Sequence, residues 1–195
     1  SGLAAVKTVA IMPTTFSFAS SSKITAEKDR TLVSNALDRA ICVALSDKYR
    51  IAAAGQPADM TVRTVITDLV PTDKTMAGVS TAVSLGSNFV LPVGVPRLPV
   101  GLGGLAVEAE AVDNGGVQRA AAVWSKGANS FTDSARVSEI GDAYGLASDF
   151  ANYFSRILVT GKVSDGLDIS IPSGHRMRSA LGGKPKYAEC DAYGR

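Results

Sequence analysis

The sequence predicts an α+β fold: one mixed, mostly antiparallel sheet with two helices packed on one face, in the order β-α-β-β-β-β-α. Three observations carry this. From Gly104 to Lys126 the chain alternates with a period of two around Asp113-Asn114-Gly115-Gly116, which is a β-hairpin with one dry and one wet face. Two apolar stripes at spacings of three and four, Val33 to Leu45 and Ala147 to Leu158, are amphipathic helices. Their dry faces and that of the hairpin must cover one another.

Leu3 to Met12 is an almost unbroken apolar run closed by Pro13, which reads as a buried strand. The Ser/Thr-rich stretch Thr14 to Ser22 reads as a loop. Thr25 is the expected N-cap of helix one, with Glu27 and Asp29 in the first turn, where the helix dipole favours them. Val33, Leu37, Ala40, Ile41, Ala44 and Leu45 form its stripe, and Asp38 and Arg39 fall off it. Tyr49 to Ala53 is a short strand before Gly55-Gln56-Pro57, and the β-branched run Met60 to Val70 is a long one.

In the hairpin, Leu105, Val107, Ala109 and Ala111 share the dry parity, while Glu108 and Glu110 share the wet one. Helix two is expected from near Ser134, with Gly141 and Gly145 able to break its first half, and Gly161 caps its C-terminus. Residues 3–162 form a single α+β domain by this pattern. Residues 163–195 form an irregular tail, with a short strand at Leu167 to Ile171 and a loosely packed or partner-dependent remainder.

Composition narrows the function classes. At 195 residues the chain suits one domain with a substantial core. Twenty basic against eighteen acidic residues leave +2, too balanced for a nucleic-acid footprint. No apolar run is long enough for a transmembrane helix. The chain starts Ser-Gly-Leu, so either a signal peptide has been removed or Ser1-Gly2 is a cloning remnant.

Catalysis needs converging groups, and no motif supplies them. The single histidine, His175, lies in the tail beside no motif partner, and no Gly-x-Ser-x-Gly elbow occurs. One His and two distant Cys give no metal spacing. Glu108 and Glu110 read as a solvated strand face, with Arg119 as a cross-strand partner. Gly101-Leu-Gly-Gly104 precedes a strand and lacks the Lys-Ser/Thr ending of a phosphate loop. Catalytic residues, metal ligands and cofactors are therefore all assigned as none. Cys42, at the edge of the helix-one stripe, is either a buried free thiol or, in an oxidising compartment, the partner of Cys190 in a disulfide tying the tail to that helix.

Thr75 to Gly103 is the segment that folding does not explain. It is punctuated by glycine and proline, carries many large apolar residues, and has Arg97 as its only charge. It either packs on the core or forms an apolar flap that meets a membrane or a partner. With so little charge a protein partner is favoured over lipid, and Phe89, Val90, Leu91, Arg97 and Leu98 are the candidate partner surface.

Val6-Lys-Thr-Val-Ala-Ile-Met-Pro13, Ala58-Asp-Met-Thr-Val-Arg-Thr-Val-Ile-Thr-Asp-Leu69, Ala106-Val-Glu-Ala-Glu-Ala-Val-Asp113, Trp124 and Ala147-Ser-Asp-Phe-Ala-Asn-Tyr-Phe154 are similar to one family. Over about residues 3 to 160 the chain resembles a family of Gram-negative envelope lipoproteins of unknown function (domain of unknown function 3313). That resemblance implies an exported, periplasmic chain anchored to the outer membrane by a lipid-bearing cysteine ahead of Ser1. The family has no assigned reaction, so no functional residue carries over. The expected function is a non-enzymatic cell-envelope module that binds a protein or envelope component. The alternative is a small-ligand binder or enzyme with its site between the 75–103 segment and the sheet, marked by Glu108, Glu110, Arg119 or Asp68.

Overall fold

The structure, a computed structural model, describes residues 2–72, 102–128, 140–163, 173–180 and 183–194. Its elements are α1 (Gly2–Ala5), β1 (Thr8–Ile11), β2 (Thr15–Phe16), α2 (Phe18–Ser21), α3 (Glu27–Leu45), β3 (Arg50–Ile51), β4 (Met60–Val70), β5 (Gly104–Asp113), β6 (Gln118–Gly127), α4 (Gly141–Thr160), α5 (Gly174–Ala180) and a 3-10 turn at Ala188–Tyr193. One six-stranded mixed sheet runs β3-β1-β4-β5-β6, with β2 beside β1 on the same flank of β4. The short strands pair in parallel and the long ladders β4–β5 and β5–β6 are antiparallel. Helices α3 and α4 pack on each other and on one face of this sheet. This is the α+β fold the sequence predicts.

The hairpin parity is observed. Leu105, Val107, Ala109 and Ala111 are buried, and β6 turns Ala122 and half-buried Trp124 to the same side. There the Trp124 ring meets Phe150 edge-on at 5.6 Å, and Phe150 stacks on Phe154 at 5.8 Å. In the turn, Asp113 Oδ1 accepts the Gly115 and Val117 amides at 2.9 Å each, and Gly116 sits at φ 79°. The Val117 amide foremost, then the Arg119 guanidinium and last the Gly115 amide, hold the Asp113 carboxyl below its usual range against the cost of burial.

Several boundaries differ from expectation. The first strand starts at Thr8 rather than Leu3, because the Asp59 carboxylate takes the Lys7 and Thr8 amides at 2.9 Å and Gly2–Ala5 coils as α1. The expected loop Thr14 to Ser22 contains β2 and α2. Its serines satisfy β4 where that strand shifts register between Ile66 and Asp68: Ser20 Oγ donates to Ile66 O at 2.6 Å and Ser17 Oγ to Thr67 O at 3.1 Å. Helix α3 takes Ala26, not Thr25, as its N-cap. Helix α4 runs from Gly141 through Gly145 without a break and ends on Gly161 in the left-handed conformation, while the expected start near Ser134 lies outside the described residues. The expected strand at 167–171 lies outside the described residues.

The end of the tail is not loosely packed. Cys190 is fully buried and bonded to Cys42, with a sequence separation of 148. Arg39 donates to the carbonyls of Cys190 and Gly194 and to Asp191, and Lys186 Nζ donates to Ser46 O at 2.8 Å. Tyr193 reaches the Ile11 carbonyl at 3.3 Å.

Candidate interaction surface

Two aspartates, Asp38 on α3 and Asp142 in the first turn of α4, are buried and act as clamps. Asp38, only 1% exposed, accepts the Thr14 amide on both oxygens at 3.1 Å and the Thr14 hydroxyl at 2.5 Å. Desolvation outweighs these bonds and raises its carboxyl to about 6. Burial, with the Asp38 carboxylate behind it, also pushes the Tyr193 phenol above its ordinary value.

Asp142 is the second clamp. Its Oδ2 accepts the Thr72 hydroxyl at 3.0 Å and the Gly103 amide at 2.8 Å. A Cβ at Gly103 would lie 2.8 Å from Thr72 Oγ1 and 2.9 Å from Val70 O, so glycine is required where the two backbones close on the helix. Thr72 and Gly103 bracket residues 73–102, so the chain leaves and re-enters the sheet through one buried carboxylate. The candidate partner residues Phe89, Val90, Leu91, Arg97 and Leu98 lie outside the described residues.

At this root the ends of β4, β5 and β6 enclose an open depression of about 380 Å³, lined among others by Asp68, Val70, Leu102, Ser125 and Lys126. Asp68 pairs with Lys23, which holds its carboxyl below the usual range, and Lys126 pairs with Asp149 at 2.6 Å. Glu108, Glu110 and Arg119 do not line it. Glu108 and Glu110 occupy the sheet face opposite the helices, which also carries Arg63, Val65, Ala121 and Val123, while Arg119 is the extra residue where the β5–β6 register shifts. Glu110 takes Gln118 and Arg63 as partners, so Arg119 is not its ion-pair partner. Arg119 instead reaches Asp113 at 2.6 Å. The hydrogen bonds from Gln118 and Arg63 lower the Glu110 carboxyl.

His175 is exposed on α5. Among the described residues no three His, Cys, Asp or Glu side chains converge as a metal site would need.

The profile of the family "Protein of unknown function (DUF3313)" matches residues 2–154. The chain belongs to this family. The matched region contains both clamps and the whole sheet, and it stops ahead of α5 and Cys190. No curated protein matches the chain significantly.

Among solved structures, the chain is similar to the PelC dodecamer of Paraburkholderia phytofirmans at 10% identity and a TM-score of 0.44, covering 78% of this chain and 86% of that one. A DUF330 protein from Xanthomonas campestris gives 12% identity and a TM-score of 0.44 over 80% and 85%. A candidate lipoprotein from Caulobacter crescentus CB15 gives 15% and 0.39 over 82% and 91%.

Proposed function

We propose that this DUF3313 chain is a non-enzymatic module of the bacterial envelope, periplasmic and held at the outer membrane by a lipid anchor, that works by docking another protein. The observation that carries the docking role is the Asp142 clamp. A buried carboxylate fixes both ends of a long apolar segment, Thr72 and Gly103, to helix α4. A clamp of this kind holds the two ends of the segment in place and lowers the entropy lost when it engages a partner. The Cys42–Cys190 disulfide supports an exported location, since such bonds persist in oxidising compartments.

The test replaces residues 75–100 with a short Gly-Ser turn and keeps Thr72, Leu102 and Gly103. A variant with unchanged urea stability that loses its cross-linked partner in cells supports docking. A variant that loses several kcal/mol shows that the segment belongs to the core. The depression beside Asp68 and Lys126 favours a second reading, a small-ligand site. A Lys126→Glu variant that alters ligand-induced stabilisation without affecting the protein partner would favour it.

A further inference from the structure

We infer that the outer edge of β6 pairs antiparallel with β6 of a second copy of this chain, about a two-fold axis at Val123. The phase of the β5–β6 ladder decides which backbone groups of β6 face outward. The Ala128 amide donates to Gly103 O at 2.9 Å, and the register pairs Lys126, Trp124, Ala122 and Ala120 with Leu105, Val107, Ala109 and Ala111. In an antiparallel ladder bonded and non-bonded pairs alternate, so these even-numbered residues of β6 turn their backbone groups inward to β5. The β4–β5 ladder has the complementary phase, since the Asn114 amide donates to Asp59 O. Ala121, Val123, Ser125 and Gly127 therefore direct their N–H and C=O groups away from the sheet, where no strand pairs with them among the described residues.

Strand edges are ordinarily protected by proline, by charge at the centre or by shortness. The opposite edge, β3, is two residues long. In contrast, β6 has ten residues and no proline, and Val123 at its centre is 79% exposed. Its two charged side chains, Arg119 and Lys126, lie towards its ends and are paired with Asp113 and Asp149.

The occupant follows from how β6 matches itself. A two-fold axis at Val123 sets Trp124 of one copy beside Ala122 of the other, Lys126 beside Ala120, and Arg119 beside Gly127. Ala121 faces Ser125, and only Val123 meets its own kind. Each large side chain meets a small one and no like charges face each other, which is the self-complementarity that an isologous contact requires. The pairing closes after two copies, because among the described residues each β6 leaves one edge unpaired.

The experiment is analytical ultracentrifugation of the oxidised chain from about 1 µM to about 1 mM, a range spanning weak to moderate association. The intact chain should show a concentration-dependent monomer–dimer equilibrium. Val123→Pro removes an amide donor that faces away from β5. Val123→Lys sets two ammonium groups face to face across the axis. Each should weaken association at least about tenfold. Urea unfolding of each variant at low concentration identifies any that has lost its fold, and the other then decides. A chain that stays monomeric throughout, or an oligomer indifferent to the folded variant, overturns the inference.

Discussion

The two flanks of β4 are held by different physics. On one flank, β3, β1 and β2 contribute parallel registers of only two or three residues. Side chains make up the difference. Asp59 takes two amides at the start of β1, Asp38 holds Thr14 after it, Ser17 and Ser20 bind β4 carbonyls, and Tyr193 comes from the far end of the chain to Ile11. On the other flank, β5 and β6 run in long antiparallel ladders whose alternate residues bury against α4. There the backbone supplies the hydrogen bonds and the hydrophobic face sets the register. A short parallel strand must borrow its order from distant residues, whereas a long hairpin carries its own.

The largest expected effects come from breaking each flank by its own means. Cys190→Ser removes a cross-link of 148-residue separation, for which chain entropy predicts up to about 5 kcal/mol. Phe154→Ala, at a fully buried ring, should cost about 3–5 kcal/mol through the cavity it leaves. The two differ in where they act. Hydrogen exchange should show Cys190→Ser loosening β1 and α3 first, while Phe154→Ala lowers protection across the whole domain. Equal loosening everywhere in Cys190→Ser would erase the distinction between the flanks.

A smaller effect isolates Asp38. Its carboxyl is raised to about 6 from 3.8 by burial, so the folded state holds the proton more tightly than the unfolded chain does. Stability from this group is then fully present below about pH 4 and is lost as pH rises through 6. The ceiling is about 3 kcal/mol at 1.36 kcal/mol per pKa unit. Asp38→Asn should flatten the urea-midpoint profile between pH 4 and 7. An unchanged slope in the variant would place the titration elsewhere.

The same contrast explains what the sequence discloses. The hairpin from Gly104 and the stripes ending at Leu45 and Leu158 are legible because period two and period 3.6 are local patterns. The Ser17–Ser20 stretch reads as loop because its hydroxyls bind β4 carbonyls some fifty positions away, which no local pattern records. Asp38 and Asp142 sit off the apolar stripes, so no local pattern marks them as buried. Their burial depends on Thr14, Thr72 and Gly103 arriving from elsewhere, although a Gly-Gly step just before a strand is a signal of close backbone approach. Cys42 and Cys190 were visible as a pair only on the condition of an oxidising compartment, because spacing alone says nothing about two cysteines so far apart.

The smallest expected effect tests whether the antiparallel flank needs side-chain help at all. Lys126, near the end of β6, pairs with Asp149 on α4, and both side chains are 40% exposed. If the ladder and the Trp124–Phe150 contact already fix β6 on the helix, this pair is an ordinary surface ion pair worth about 0.2–1 kcal/mol. Lys126→Ala should therefore shift the urea midpoint only slightly, and about 1 M salt should remove most of that shift by screening. A double-mutant cycle with Asp149→Ala measures the coupling directly. Coupling well above about 1 kcal/mol would mean that β6, like β1, is held by a side-chain clamp, and the contrast between the flanks would then rest on strand length alone.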